Sequence, residues 1–137
     1  MKGCNVIAVY DKNCEKVLMC KRRKNPYKGL INFVGGKIEL NEKGVDAAYR
    51  ELREETGISN SDIILTHFMD FTYYTYDCYV EVYVGKLNKD IEVHDYENEL
   101  FWSNLDENFF DVNKYAGEGN LGHIIEHIKL AKDTLLK

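Results

Sequence analysis

The feature that most constrains this chain is a stretch in which apolar residues and acids both follow helical spacing and a glycine then intervenes. Val45, Ala48 and Leu52 recur at three- and four-residue steps, the core-facing stripe of an amphipathic helix. Gly57 supplies a stop, because glycine enters the left-handed turn that closes a helix without steric cost. Glu51, Glu54 and Glu55 stand at i, i+3 and i+4, so the helix gathers them to one side, which we place opposite the stripe. Crowded carboxylates repel one another unless a cation fills the cluster. Oxygen-only ligands favour a hard cation, Mg²⁺ or Mn²⁺, and Mg²⁺ commonly bridges to substrate phosphates. The helix therefore suggests a metal-dependent enzyme acting on phosphates. The plainer reading is a solvated acidic face paired with Arg50 and Arg53.

Around this helix the pattern alternates. Residues 5–11 and 15–22 are short apolar runs separated by Asp11, Lys12 and Asn13, a strand hairpin. Strands are also expected at 62–71, at 76–87 and around Leu100, Phe101 and Trp102. From Leu121 onward, Ile124, Ile125, Ile128 and Leu135 mark a second amphipathic helix. Strands, helix, strands, helix predicts a mixed sheet with helices on its faces, α+β in class. At 137 residues, with 45% hydrophobic and 30% charged residues, one domain spanning 1–137 is expected.

The net charge of −5 argues against nucleic acid as a general partner and against an anionic membrane surface. No apolar run approaches the roughly 20 residues of a bilayer span. The run from Val6 to Tyr10 is too short for a signal peptide's core, so a cytoplasmic location is the default expectation. Cys4, Cys14, Cys20 and Cys78 have no zinc-type spacing and read as free, mostly buried thiols. A monomer or a homodimer suits a chain of this size.

Extending the helix upstream sharpens the reading. The stretch 36–58 resembles the Nudix box, G-x5-E-x7-R-E-U-x-E-E-x-G-U with U a bulky aliphatic, and all nine specified positions match: Gly36, Glu42, Arg50, Glu51, Leu52, Glu54, Glu55, Gly57 and Ile58. Chance agreement is on the order of 10⁻⁹ per start site. The resemblance is to the MutT-like Nudix hydrolases. It implies an α/β/α sandwich with a mixed sheet and a loop–helix–loop catalytic box. It also implies Mg²⁺- or Mn²⁺-dependent hydrolysis of a nucleoside diphosphate linked to another group. On the same resemblance Glu54 and Glu55 are metal ligands, Glu51 is a ligand or helper, and the Gly35 or Gly36 carbonyl is a further ligand. Arg50 pairs with a glutamate and holds its rotamer, and Glu42 supports the loop. The base in this family often lies outside the box. Glu97, Glu99 and Glu118 are the candidates, with Glu97 favoured also as a ligand.

The resemblance extends to the substrate. Asn32, three residues before the glycine pair, matches the W-N-x-x-G-G run of oxidised-purine triphosphatases, where the amide reads the base; a strand-end Asn bonded to backbone is the alternative. Arg22 and Arg23 suit a phosphate tail, and Tyr27 suits base stacking. Tyr115 followed by Glu118 resembles an aromatic-then-acid base clamp. Tyr73, Tyr74, Tyr76, Tyr79 and Tyr83 read as hairpin packing. The substrate expected is a purine nucleoside triphosphate, oxidised forms such as 8-oxo-dGTP included. ADP-ribose, NADH, dinucleoside polyphosphates or capped RNA stand as the alternative within the family, and a non-catalytic nucleotide sensor outside it. Two look-alikes are set aside: the G-x-G-x-x-G at 117–122 lacks the strand and acid of a dinucleotide site, and the H-x-x-E-H at 123–127 lacks room for a third zinc ligand downstream.

Overall fold

The computed structural model describes all residues, 1–137, and organises them around one strand. β1 (Lys2–Tyr10) runs parallel to β5 (Cys78–Lys86) along its whole length, from Lys2 opposite Cys78 to Tyr10 opposite Lys86. β4 (Thr66–Tyr73) lies antiparallel on the far side of β5. The end of β1 turns into β2 (Lys16–Lys21), where Asp11 Oδ1 accepts the amides of Glu15 and Lys16 at 2.8 and 2.9 Å. β2 pairs antiparallel with β6 (Glu99–Asn104), and near its end with the two-residue β3 (Ile31–Asn32). The result is a mixed six-stranded sheet.

The period-2 alternation of β1 sorts its side chains between two cores. Ala8 and Tyr10, with Val17, Met19, Val82 and Val84, face Leu121, Ile124, Ile125 and Ile128 of α2 (Asn120–Leu130). Ile7 and Val9, with Leu18, Cys20 and Tyr83, face Ala48 and Leu52 of α1 (Gly44–Thr56). Helices on opposite faces of the sheet make an α/β/α sandwich. A short α3 (Lys132–Leu135) follows α2 after a break at Ala131. No helix is long and apolar enough to cross a membrane.

Several expectations need correction. Strand limits differ by a few residues: the run 62–71 becomes Thr66–Tyr73, and 76–87 becomes Cys78–Lys86. Val45 is exposed because it sits in the first turn of α1, before the helix settles on the sheet; Ala47, Ala48, Leu52 and Thr56 are the buried positions. The four cysteines are free, but only Cys20 is buried. The tyrosines divide: Tyr83 is buried, whereas Tyr74 and Tyr76 stand exposed on the turn between β4 and β5.

The seating of α1 rests on Leu52, which is fully buried against the sheet. Leu52→Ala is expected to lower unfolding free energy by about 2–5 kcal/mol, measured by urea denaturation. A loss under about 1 kcal/mol would show that the helix is held by something else.

Candidate active site

The acidic residues of α1 do not lie opposite its buried stripe but beside it. Glu51 and Glu55 are half-buried, and only Glu54 reaches well into solvent. On a 3.6-residue helix, position 55 sits only about 60° from position 52, so its carboxylate enters the seam between helix and sheet. Glu55 is therefore more costly to ionise than a surface carboxylate would be.

Arg50 pairs with the other carboxylates. Its Nε and Nη2 donate to the two oxygens of Glu42 at 2.8 and 2.9 Å, a two-pronged pair. Its Nη1 donates to Glu51 Oε1 at 3.0 Å and to Glu54 Oε2 at 3.2 Å, and Nη2 also reaches the Lys37 carbonyl at 2.9 Å. One guanidinium thus binds three carboxylates and the loop before the helix. Glu42 returns a contact to that loop by accepting the Glu39 amide at 3.0 Å. The Arg50 bonds, and after them the Glu39 amide, hold the Glu42 carboxyl down at about 2.

Glu55 has no such partner. Burial pushes its carboxyl up to about 7; the Gly35 amide, donating at 3.3 Å, opposes this, Glu51 and Glu97 push further up, and Arg22 pulls back. The charges of Glu97 and Arg22 therefore reach Glu55, although both lie far from it in sequence. The glycine pair closes the site from the sheet side. A Cβ on Gly36 would overlap the Glu51 carboxylate, and one on Gly35 would overlap the Asn5 carbonyl. Asn5 grips the loop from β1: its amide donates to the Gly36 carbonyl at 2.8 Å, and its Oδ1 accepts the Gly36 amide at 3.0 Å. The Gly36 carbonyl is thus already engaged, whereas Gly35 makes no such backbone bond through its own carbonyl.

A hard divalent cation fits these residues. The donors are carboxylate and carbonyl oxygens, Glu55 is a desolvated acid without a basic side chain bonded to it, and Glu51 and Glu54 each commit one oxygen to Arg50. A separate group, His67, Asp70 and Glu81, brings ligand-type atoms within 4.8 Å of one another. Glu81 lies against Gly44 at the start of α1, so this group is roughly 16 Å along the helix from Glu55.

The remaining candidates fall into two places. The connection from β5 to β6 crosses the end of α1 and carries Glu97, exposed and 4.0 Å from Lys24. Glu99 lies at the start of β6 opposite Lys21. Arg22 is half-buried and donates to the Pro26 carbonyl at 2.6 Å. The Arg23 guanidinium is bonded to Asp95 and to the Tyr96 carbonyl, and its backbone amide to Asn98. The loop after β2 brings Tyr27 to Glu118, its hydroxyl donating at 2.9 Å, and burial with the Glu118 bond raises that phenol to about 12. Ile31 bridges Tyr115, so β3 and the segment before Glu118 run side by side and Asn32 joins the group. Asn32 Oδ1 accepts the Phe33 amide at 2.8 Å, the backbone-bonded arrangement, which leaves its NH₂ free. Tyr115 is a correction: at 2% exposure it is a core residue packed on Phe109, and its ring has no open face for a base.

Sequence reasoning missed Asn5, whose role depends on a loop 30 residues away. It also missed Asp95, Tyr96 and Asn98, which sit in a loop without periodicity.

A family model described as "NUDIX domain" matches residues 2–126. Two relatives match locally. The ADP-ribose pyrophosphatase of Methanocaldococcus jannaschii is 44% identical over 43 residues, 31% of this chain and 25% of that protein. The CTP pyrophosphohydrolase of Escherichia coli is 41% identical over 59 residues, 42% of this chain and 44% of that protein. The chain thus spans less than half the length of either. Similar folds include an Ap4A hydrolase of C. elegans (TM-score 0.71, 19% identity, 93% and 98% of the two chains). Another is the dihydroneopterin triphosphate pyrophosphohydrolase of E. coli (TM-score 0.73, 17% identity, 93% and 94%).

The raised Glu55 carboxyl predicts a stability effect of definite sign. Its ordinary value is 4.5 and its folded value about 7, so the folded chain holds this proton more tightly than the unfolded chain. The contribution of Glu55 is therefore most favourable below 4.5 and declines as pH rises through 7. Without divalent ions, Glu55→Gln should exceed the parent by roughly 1–3 kcal/mol at pH 8 and converge with it near pH 4, in urea titrations. Equal stability at both pH values would mean that Glu55 is solvated.

Proposed function

The chain belongs to the NUDIX domain family, and from that premise we propose that it is a Mg²⁺- or Mn²⁺-dependent hydrolase of a phosphoric anhydride in nucleotides. Its preferred substrate on this reading is a purine nucleoside triphosphate, oxidised forms included, cut to the monophosphate and pyrophosphate. The observation that carries the reading is Glu55: a half-buried carboxylate beside Glu51 and under the Gly35 amide, pushed up to about 7 by burial, while Arg50 is bonded to Glu42, Glu51 and Glu54 and no basic side chain is bonded to Glu55. Such an acid is costly to the protein unless a cation is to be held there.

In this reading Glu51, Glu54 and Glu55, with the Gly35 carbonyl, hold the ion, and Gly36 leaves the space that Glu51 occupies. The ion supplies charge neutralisation at the anhydride oxygens and a lower pKa for attacking water. Glu97 takes the proton from that water at a carboxylate oxygen as the new P–O bond forms and the bond to the leaving phosphate breaks. Arg50 keeps Glu51 and Glu54 in one orientation. Arg22, whose charge reaches Glu55, contacts the phosphate chain.

Purine recognition is assigned to Asn32, Tyr27 and Glu118. The Asn32 NH₂ is free to donate, Glu118 accepts, and Tyr27 offers a ring beside them. Local similarity to an ADP-ribose pyrophosphatase and a CTP pyrophosphohydrolase supports the anhydride chemistry and names the competing substrates.

The test is steady-state kinetics on a panel of purine and pyrimidine triphosphates, 8-oxo-dGTP, ADP-ribose and Ap4A, with Mg²⁺ or Mn²⁺. Purine triphosphates should give the highest kcat/KM, chelation should abolish turnover, and Glu54→Gln should lower kcat by about 10²-fold or more. Faster turnover of ADP-ribose or Ap4A would overturn the substrate assignment. Full activity in chelator would overturn the metal assignment.

A further inference from the structure

The connection between β5 and β6 has no regular structure of its own, yet it carries Glu97 across the end of α1. One residue holds the part that matters, through its backbone amide and its guanidinium. The Arg23 amide donates to Asn98 Oδ1 at 3.0 Å, its Nη1 to the Tyr96 carbonyl at 3.2 Å, and its Nη2 to Asp95 Oδ2 at 3.3 Å. These partners flank Glu97 on both sides. Asp95 uses its other oxygen to accept the Leu100 amide at 2.9 Å, which ties the turn to the first residues of β6. Tyr96 lies over Gly57, where a Cβ would crowd its hydroxyl, so the turn also rests on the end of the catalytic helix. Further back, Ile91 and Val93 pack into the core beneath α1.

We infer that Arg23 is a positioning residue: it fixes the turn 95–98, and through it Glu97 at the Gly57 end of α1, without contacting substrate. This rests on the reading above in which Glu97 takes a proton in the site. The guanidinium commits one N–H of Nη1 to Tyr96 and one of Nη2 to Asp95, so it is aimed at the turn. The planar guanidinium reaches a carbonyl and a carboxylate at once, which a lysine ammonium on a flexible stem does not reproduce. The contact between Arg23 and Asp95 is solvent-exposed and weak in stability terms, so its consequence is where Glu97 sits and not whether the chain folds.

The experiment is a double-mutant cycle with Arg23→Ala, Glu97→Gln and the pair, on the best triphosphate of the panel with saturating Mg²⁺. Hydrogen exchange of the amides in 95–100 is measured on the same proteins without nucleotide. Arg23→Ala should lower kcat about 5- to 30-fold with KM within about twofold, and the double variant should match Glu97→Gln alone. Arg23→Lys should recover less than half of the lost activity, and the Leu100 amide should exchange faster in Arg23→Ala. A raised KM at unchanged kcat would assign Arg23 to the phosphates and overturn the inference. So would losses that multiply in the double variant, or exchange that stays at the parent rate. If exchange quickens while Glu97→Gln keeps full kcat, the latch stands as a structural contact, but Glu97 is not the proton acceptor and the positioning role falls with it.

Discussion

One arginine bound to three carboxylates is the constraint on which the rest of this site depends. Four glutamates lie on or against a single helix of 13 residues, and like charges so close repel one another. Arg50 ties Glu42 in the loop to Glu51 and Glu54 on the helix, and adds the Lys37 carbonyl. Its charge thereby fixes both sequence-distant ends of the 36–58 stretch. Removing one partner from such a network leaves the others desolvated, which is why its members act as a unit.

That economy leaves Glu55 outside. It is the one member whose burial is not matched by a bonded cation, and its neighbours Glu51 and Glu97 add to its charge burden. The fold maintains this arrangement with groups that bear no net charge: the Gly35 amide, the Asn5 side chain and two glycines without Cβ atoms. On the proposed reading, the stability given up by holding one acid in an unfavourable state is returned as affinity toward a divalent ion.

Much of this was legible in the residues. The spacing of Gly36, Glu42, Arg50, Glu51, Glu54, Glu55 and Gly57 encodes a helix and its flanking loops, so the local geometry follows from a short stretch of chain. The sandwich also followed, because the order of apolar strand runs, such as Val6 to Tyr10, and helical repeats, such as Ile124, Ile125 and Ile128, calls for a sheet with helices on its faces. Periodicity could not say that Val45 lies beyond the sheet while Ala47 lies over it, since that depends on where α1 lands. Nor could it separate Arg22 from Arg23. Adjacent residues of one type leave the end of β2 in different directions, and only the fold shows that one bonds the Pro26 carbonyl and the other Asp95. Tyr115 failed for a related reason: an aromatic near an acid looks the same in sequence whether its ring faces a ligand or the core.

β1, the earliest segment of the chain, occupies the interior of the sheet, and the neighbour it needs along its full length is β5, with Lys2 opposite Cys78, 76 positions on. Asn5 in that strand also clasps the glycine loop. During synthesis, therefore, the helix and its acids emerge well before the strand that anchors them can be completed. An apolar ribbon from Val6 to Tyr10 waits unpaired on one edge in the interim. Until β5 arrives, the open edge of β1 is the place where the nascent chain is most exposed to misassociation.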